Sequence, residues 1–502
     1  MSLLIGIDVG TTNTKVRLYD ERGRVQAEDS FHTPTQKDQL GELYNPGEIF
    51  AQIASAINRF QSDLRKQVKA VSVSSFAETM VGIDAGGNPV VSSLPWFDLR
   101  TEGVFQKLKE TIDEQLVYYT TGLSPQSKYS FYKLFWSREN EPQAFAQVKS
   151  WTSMSGFILF SFTGVMSFDY SLASRTMFFD QRRRRWWDEL LSLIGLSSDK
   201  LAPLFPSGVS LGPLRGEVAE RCGLPREVVA VTGGHDHLCA ALAAGVFQKG
   251  QALISSGTTE SLTMGLDEFP PLEFSLQEES PFSWGRHVVS PSFYAMNGIY
   301  SGGFSIDWLM GIIKRDYAFF TNLSPVNKPD FPLFFPYLLG SSYPQAKGVF
   351  LNLDGSVGEE ELTEGVVAGL CFEYGRLWQK MEKALGVSIE RTVNVGGGTN
   401  NAYWMRMKAS VLRREIVVPE DREGSSKGAA LLAGIGSGVY TDAEEAFRTT
   451  FRPEQIFIPD NRLWEKLAKY FRAYVELEGD IKKLNQKLNY FLKEVPAENH
   501  GK

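Results

Sequence analysis

Short runs of β-branched and apolar residues alternate with turn residues over the first thirty positions of the chain. The runs cover Leu3 to Val9, Lys15 to Tyr19 and Arg24 to Phe31. The segments between them, GTTN and DERG, have the composition of tight turns. This pattern predicts three antiparallel strands joined by two hairpins.

A helix is predicted directly after this meander. Asn45 is a good side-chain cap, Pro46 suits the first helical position, and Glu48 is placed to complete a capping box. Apolar residues then recur at helical spacing from Ile49 to Phe60. The next apolar segment, Val68 to Ser74, predicts a further strand, so the chain begins to alternate between the two kinds of element.

One internal repeat is visible in the sequence. The apolar run Leu4 to Val9 leads into Gly10-Thr11-Thr12, and half a chain length later Ala252 to Ser255 leads into Gly257-Thr258-Thr259. A Gly-Thr-Thr triplet can arise by chance, but the shared strand context favours two domains of similar architecture.

The repeat divides the chain into an N-terminal domain over residues 1–250, a C-terminal domain over residues 251–455 and a helical extension over residues 456–502. In the second half we expect helices over Ser301 to Lys314, over Glu359 to Leu385 and after Gly424, and a strand over Arg391 to Val395. The segment Trp464 to Leu492 is amphipathic and rich in lysine. It predicts a surface helix packed on the second domain, with a partner-binding helix as the alternative.

Composition narrows the class of protein. The chain has 502 residues, of which 43% are hydrophobic and 22% charged, and its 52 basic and 59 acidic residues give a net charge of −7. This balance disfavours a nucleic-acid partner. The three cysteines, Cys222, Cys239 and Cys371, have neither a disulfide pattern nor zinc spacing. No apolar stretch approaches the roughly 18 residues that span a membrane, so we expect a cytoplasmic protein without a membrane partner.

The first predicted hairpin carries residues that suit a phosphate group. Asp8 ends an apolar strand, Gly10 allows close backbone approach, and Thr11, Thr12 and Lys15 add hydroxyl and ammonium donors. Asp8 would suit a hydrated Mg²⁺. A polar turn without a ligand is the alternative, but a second hairpin of the same kind across a cleft would form a clamp for a nucleoside triphosphate.

A second candidate is the segment GGHDH at the end of a predicted strand. Asp236 lies between His235 and His237, before a predicted helix, and ligands bind at the carboxyl ends of strands in open α/β sheets. Asp236 could accept a proton from a substrate hydroxyl. A metal site is disfavoured because residues two apart on a helix do not share a face. A helix cap between solvent-exposed histidines is the remaining alternative.

Better-known phosphate and nucleophile motifs are missing. The sequence has neither the P-loop pattern nor the spacing GxGxxG. The segment GSSKG at Gly424 matches a nucleophile elbow in its letters alone, since a charged loop precedes it where a buried strand is required. We therefore interpret Ser426 as a residue of the first helical turn.

Four segments together resemble the FGGY family of carbohydrate kinases. They are GIDVGTTNTK, GGHDH, SSGTTE and VGGGTNNAYWMRMKASVL, which occur in the family's order between about residues 3 and 455. The resemblance implies an α/β fold of two actin-like (ribonuclease H-like) domains with a ligand cleft between them. It also implies an ATP-dependent, Mg²⁺-requiring kinase that phosphorylates a small-molecule sugar or polyol.

The resemblance also implies roles for individual residues. Asp8 would hold Mg²⁺ through water, and Asp236 would be the general base. The residues implied to contact the nucleotide are Gly10, Thr11, Thr12, Asn13, Lys15, Gly257, Thr258, Gly303, Asp307, Gly397, Gly398 and Asn401.

The substrate is implied to contact Glu78, Asp236 and His237, although Glu78 could instead be a loop carboxylate paired with an arginine. Ala77 and His237 stand where glycerol kinases carry an arginine and a glutamine, and the Met-His pair of xylulose kinases is absent near Glu78. We therefore expect a small ketose, either a pentulose or a hexulose, or a polyol. Glycerol and a sugar acid such as gluconate are alternative substrates, an actin-like nucleotide-binding scaffold without turnover is the alternative function, and a homodimer is left open.

Overall fold

Two large sheets run through the computed structural model, which describes residues 2–271, 282–323, 330–340 and 346–494. Residues 495–502 of the expected C-terminal extension lie outside the described residues. The strands of the first sheet are β1 (Leu3–Val9), β2 (Asn13–Asp20), β3 (Val25–His32), β4 (Val68–Ser75), β5 (Ser210–Pro213) and β6 (Val229–His235). Their spatial order is β5-β6-β4-β1-β2-β3.

The second sheet has seven described strands and repeats the arrangement at the centre of the first. They are β7 (Gln251–Ser256), β8 (Glu260–Leu266), β9 (Ser283–Arg286), β10 (Phe293–Ile299), β11 (Arg391–Val395), β12 (Ile416–Pro419) and β13 (Pro453–Phe457), in the order β9-β10-β8-β7-β11-β12-β13. The first strand of each sheet pairs antiparallel with the next strand and parallel with a later one: β1 with β2 and β4, β7 with β8 and β11. The α/β class and the two-sheet architecture predicted from the repeat are therefore confirmed.

Helices pack on both sheets. The main ones are α1 (Pro46–Arg59), α2 (Asp236–Ala243), α3 (Gly302–Ile313), α4 (Glu359–Leu385), α5 (Ala402–Leu412), α6 (Gly424–Gly436) and α7 (Asn461–Glu494). Shorter helices cover Ser62–Arg65, Glu102–Leu108, Glu114–Thr121, Ser130–Asn140, Pro142–Gln147, Met154–Thr163, Tyr170–Ala173, Asp188–Ser192, Gly216–Cys222, Tyr317–Thr321 and Ala443–Thr450. Small two-stranded ladders pair Thr35–Lys37 with Glu42–Tyr44, Met80–Ile83 with Ser150–Ser153, Phe168–Asp169 with Leu204–Phe205, Phe179–Asp180 with Arg185–Trp186, and Leu333–Phe335 with Val349–Leu351.

The start of α1 differs in one detail from the sequence prediction. The Asn45 side chain accepts a hydrogen bond from the Glu48 backbone N–H at 3.1 Å, as expected for a cap. The capping box is wrong, because the Asn45 N–H donates to the Pro34 carbonyl and the Glu48 carboxylate accepts from Gln52. Because the Asn45 N–H already donates to Pro34, it is not available to donate to the Glu48 carboxylate, as a capping box requires.

The long helix α7 packs on the second sheet's core, as its amphipathic pattern predicts. Leu467, Phe471, Tyr474 and Ile481 are buried there, and Tyr474 stacks on Phe335 at 4.4 Å between ring centroids. No helix among the described residues is both long and apolar enough to cross a membrane. The three cysteines are buried and free.

Helix α6 comes from the second half of the chain but lies against the first sheet. A Cβ atom on Gly6 of β1 would come within 1.9 Å of the Ser426 carbonyl oxygen. A Cβ on Gly428 of α6 would lie equally close, 1.9 Å, to the Cys239 carbonyl oxygen of α2. Helix α6 therefore touches β1 and α2 backbone to backbone. The helix that the sequence analysis counts with the C-terminal domain thus holds two elements of the N-terminal one.

This close contact predicts opposite effects for two helical Gly→Ala changes. Gly428→Ala should lower the free energy of unfolding by about 1–3 kcal/mol, because its methyl group overlaps the Cys239 carbonyl. Gly311→Ala in α3 is the matched control, since a Cβ there meets nothing within 4 Å, and it should raise stability by about 0.5–1 kcal/mol. Denaturant titration of both variants measures the two shifts, and equal shifts would contradict the packing described for α6.

A buried lysine in the helix Ser130–Asn140 gives a pH-dependent prediction. Lys133 is 2% exposed, and its Nζ donates to the Leu94 carbonyl at 3.1 Å. Burial lowers the pKa of Lys133 from its ordinary 10.5 to about 7. Between these values the unfolded chain carries a proton on Lys133 that the folded chain lacks. This group therefore makes the free energy of unfolding rise as pH increases from 7 to 10.5.

Lys133→Met removes this titration while keeping most of the side-chain volume. The stability difference between the Met variant and the parent should favour the variant most at pH 7 and below, and shrink as pH rises toward 10.5. Urea unfolding at several pH values checks this. A difference that stays constant across the range would show that Lys133 keeps its proton in the folded protein.

Candidate active site

A cavity of about 320 Å³ lies between the two halves of the chain, next to the carboxyl ends of β1, β4 and β6. These three neighbouring strands are parallel to one another where they pair, so their ends meet at one edge of the sheet. The residues lining the cavity from the first half include Thr11, Phe76, Ala77, Glu78, Trp96, Lys128, Tyr129, Arg175, His235, Asp236 and His237. Those from the second half include Thr259, Glu260, Ser261, Asn297 and Tyr300.

Asp236 stands where β6 passes into α2. Its Oδ1 accepts a hydrogen bond from the His237 backbone N–H at 2.6 Å and lies 3.2 Å from His235 Nε2. Burial raises the pKa of Asp236 to about 7, and the charge of Glu78 acts in the same direction. A carboxyl with this pKa is matched to accepting a proton near neutral pH.

The two histidines beside Asp236 do not lie as the sequence suggested. The ligand atoms of His235, Asp236 and His237 all fall within 4.8 Å of one another, so the three could hold a metal ion. The two histidines are not kept apart by helix geometry as predicted, because His235 is the last residue of a strand and not part of the helix. The alternative in which the histidines are solvent-exposed is also wrong. His235 is buried and His237 is half-buried, and burial lowers the pKa of His237 to about 4.

Asp8 lies at the end of β1. Its Oδ1 accepts a hydrogen bond from Ser74 Oγ at 2.8 Å, and its register partner on β2 is Lys15. Burial raises the pKa of Asp8 to about 7, and repulsion from Asp236 adds to the shift. Asp8 and Asp236 are half-buried carboxylates that repel each other, and carboxylate oxygens are hard donors of the kind Mg²⁺ prefers. These residues therefore fit a divalent cation.

The first hairpin presents a mixture of free and engaged donors. The Gly10 N–H donates to the Asn13 carbonyl at 3.2 Å, and Thr11 Oγ1 accepts a hydrogen bond from Trp96 Nε1 at 3.1 Å. Thr12 and Asn13 are exposed. The Lys15 ammonium forms an ion pair with Glu423, which directly precedes α6.

The second hairpin is joined to the start of α3. The Gly257 N–H donates to the Thr259 carbonyl at 3.0 Å, and the Gly303 N–H donates to the Gly257 carbonyl at 2.8 Å. A Cβ on Gly303 would lie 2.7 Å from that carbonyl oxygen, so the contact needs glycine. Thr258 is exposed, and the cavity is lined by Thr259 instead.

The remaining nucleotide candidates lie on elements of the second half and outside the cavity lining. Asp307 is exposed on α3, and a Cβ on Gly397 would meet nothing within 4 Å. Gly398 packs against Ser256. The Asn401 side chain is buried: its Oδ1 caps α5, and its Nδ2 donates to the Phe320 carbonyl at 3.2 Å. Asn401 thus holds the loop in place rather than offering its amide to the surface.

A fully buried ion pair under the second hairpin was missed by the sequence analysis. Lys408 and Glu260 are 0% and 1% exposed, and Lys408 Nζ lies 2.5 Å from Glu260 Oε2 and 2.9 Å from Ser256 Oγ. The ammonium also faces the rings of Trp404 and Tyr374, at 4.7 and 5.1 Å. The signal in the sequence was a lysine inside the apolar stretch of a helix, but its partner lies nearly 150 positions away.

Glu78 has both features that the sequence analysis gave as alternatives: it lines the candidate substrate cavity and it pairs with an arginine. It lines the cavity, and its Oε1 accepts hydrogen bonds from Arg175 Nη2 at 2.7 Å and Arg175 Nε at 2.9 Å. Both side chains are less than a tenth exposed. An arginine partner was one of the expected alternatives, but Arg175 itself was not predicted, because it lies nearly 100 positions away in the sequence.

Removing one charge of the buried ion pair is expected to destabilise the protein more than removing both charges. Lys408→Met should lower the free energy of unfolding by about 3–5 kcal/mol, because it leaves the Glu260 charge buried without a partner. Adding Glu260→Gln to this variant should recover part of the loss. Guanidinium unfolding of both variants measures this. If the double variant were less stable than Lys408→Met, Glu260 would not depend on Lys408 for its charge balance.

Comparison with known proteins assigns both halves of the chain to one protein family. Two family models match the chain: the N-terminal domain of the FGGY family of carbohydrate kinases over residues 3–243, and its C-terminal domain over residues 252–437. A xylulose kinase of Bacillus subtilis is 27% identical over 98% of this chain and 100% of its own. A gluconokinase of the same organism is 24% identical over 96% of each chain.

The fold is shared with solved structures of sugar kinases. The crystal structure of a ligand-bound xylulose kinase from Lactobacillus acidophilus matches with a TM-score of 0.89 at 20% identity, covering 97% of this chain and 100% of that one. The predicted two-domain actin-like fold is thereby confirmed. Both halves of the chain match their family models, the relatives are aligned over nearly their full lengths, and the chain belongs to the FGGY family of carbohydrate kinases.

Proposed function

We propose that this kinase transfers the γ-phosphoryl group of ATP to a hydroxyl of a small carbohydrate bound in the cavity, with Asp236 as the general base. The sequence favours a pentulose, a hexulose or a polyol as acceptor, and a sugar acid belongs to the same size class. The observation that carries the proposal is a carboxyl whose pKa is raised to about 7, lining a cavity to which both hairpins contribute.

The phosphate groups of ATP are proposed to lie between the two hairpins. Thr11 and Thr259 line the cavity from opposite halves of the chain, which supports a clamp. The residues proposed for the nucleotide are Gly10, Thr11, Thr12, Asn13, Lys15, Gly257, Thr258, Gly303, Asp307, Gly397 and Gly398, with Asn401 in a supporting role. Asp8 is proposed to hold Mg²⁺ through water, and a bound Mg²⁺ would neutralise charge on the phosphates.

The chemical step needs little from the protein beyond position and one proton acceptor. As the acceptor oxygen attacks the γ-phosphorus, its proton passes to the Asp236 carboxylate, and the bond from the γ-phosphorus to the bridging oxygen breaks to release ADP. His235 and the His237 backbone both contact Oδ1. These contacts fix the carboxylate plane, and we propose Oδ2 as the atom that takes the proton.

Replacing Asp236 by Asn tests the proposal directly. Asp236→Asn keeps the size of the side chain but removes the proton acceptor, so kcat should fall by about 10²- to 10⁴-fold while the Kd for ADP changes little. Coupled ADP-release assays across pentuloses, hexuloses, polyols and sugar acids, with calorimetry for ADP, provide the measurements.

Asp442→Asn is the control for loss of a carboxylate at a helix start, because Asp442 caps its helix through its side chain and lies outside the cavity lining, whereas Asp236 is the first residue of α2 and makes no side-chain cap bond. This change should leave kcat as it is, since Asn caps a helix about as well as Asp. Near-parental turnover by Asp236→Asn would remove Asp236 as the base. An absence of carbohydrate-dependent ADP release with every acceptor would contradict the kinase function itself.

A further inference from the structure

Lys128 is a cation in the cavity that pairs with no carboxylate of the residues that the structure describes. Lys128 lines the cavity from the segment just before the helix Ser130–Asn140. Its Nζ lies 5.5 Å from the ring centre of Tyr129 and 5.8 Å from that of Tyr300. The two rings come from the two halves of the chain and hold the ammonium between them. Within the described residues, Lys128 forms no ion pair with a carboxylate.

Glu78 is the carboxylate that acts on Lys128, but it already forms an ion pair with Arg175. Glu78 influences Lys128 electrostatically, but its Oε1 takes two hydrogen bonds from Arg175, and both partners of that pair are less than a tenth exposed. This wall of the cavity therefore carries two cations against one carboxylate. Burial alone would lower the pKa of Lys128, yet Tyr300 and Tyr129 raise it above its ordinary value, so the side chain stays charged.

We propose that the acceptor substrate is a sugar acid and that Lys128 is the residue that recognises its carboxylate. Lys128 is half-buried where it lines the cavity, so a substrate that fills the cavity withdraws its charge from water, which is costly unless an anion accompanies it. A substrate that brings the opposite charge to the same cavity restores the balance. The inference rests on the proposed function and narrows its substrate class, and it makes Lys128 a specificity-determining residue rather than part of the phosphoryl-transfer machinery.

The free donors on this wall fit a carboxylate better than a phosphate. Phosphate groups are typically bound by an arginine fork or by several backbone N–H groups. The guanidinium of Arg175 is engaged by Glu78, which leaves one ammonium for one negative charge. A neutral sugar would leave that ammonium unpaired, although a hydroxyl could still accept a hydrogen bond from it.

Matched substrates separate these cases. Five- and six-carbon aldonates are compared with the polyols of the same configuration. Each aldonate carries a carboxylate where its polyol carries a hydroxymethyl group. Sugar phosphates are the third class of substrate tested. We expect a kcat/KM about 10- to 100-fold higher for the preferred aldonate than for its polyol, the range of a hydrogen bond to a charged group. Lys128→Met should remove most of that preference by raising KM for the aldonate by a larger factor than KM for the polyol, with little change in kcat.

Two further variants control for the fold. Lys128→Arg keeps the charge and should retain part of the aldonate preference. Lys109→Met replaces an exposed lysine that is absent from the cavity lining and should change nothing. Thermal midpoints of all the variants show whether each is folded.

The outcomes distinguish this inference from the kinase function. If ketoses or polyols are phosphorylated at least as well as aldonates, or if sugar phosphates are preferred, the carboxylate assignment is overturned while the kinase function stands. Equal losses for aldonate and polyol in Lys128→Met would also overturn it. If no acceptor is phosphorylated, the proposed function fails, and calorimetry with aldonate and ADP decides the inference: weaker aldonate binding by Lys128→Met supports it, and unchanged binding contradicts it.

Discussion

The backbone contact between α6 and the first sheet is the constraint on which the cleft depends. Gly6 and Gly428 allow α6 to touch β1 and α2 without any side chain between them. Strand β1 leads directly to Asp8 and the first hairpin, and α2 begins with Asp236. One helix therefore fixes the separation of the two carboxylates at the site. Because backbone atoms are in contact on both sides, the spacing has little freedom to drift.

Charges around the cleft fall into two groups. The pairs Glu260–Lys408 and Glu78–Arg175 are nearly inaccessible to water and satisfy each other, which shapes the cavity walls. Asp8 and Asp236, by contrast, have pKa values raised to about 7, because the effect of burial outweighs the lowering effects of Lys15 on Asp8 and of Arg175 on Asp236. Carboxyl groups with raised pKa values cluster at functional sites. The structure thus separates charges that pair with each other from the two carboxyls that we propose act on the substrates.

Local pattern was enough to predict the elements and the two hairpins, because strand alternation and turn residues act over a few positions. It also placed Asp236 at a strand end, since the apolar run before it and the helix after it are both contiguous. Local pattern could not predict the roles of Arg175 and Lys408, because each pairs with a carboxylate roughly 100 or more residues away in the sequence. The error over His235 arose from a boundary: helix spacing was applied to His235 and His237, although His235 is the last residue of β6.

The position of α6 also has a consequence for how the chain acquires its structure during synthesis. Leu4, Tyr19, Ala70 and Val231 of the first sheet form one apolar cluster with Ala430 and Leu431 of α6. The strands of that sheet leave the ribosome long before the helix that covers them. Until α6 emerges, this apolar face stays open to water, and contacts between such distant segments form slowly. The first half of the chain therefore lacks part of its apolar core until residues that are translated near the end become available.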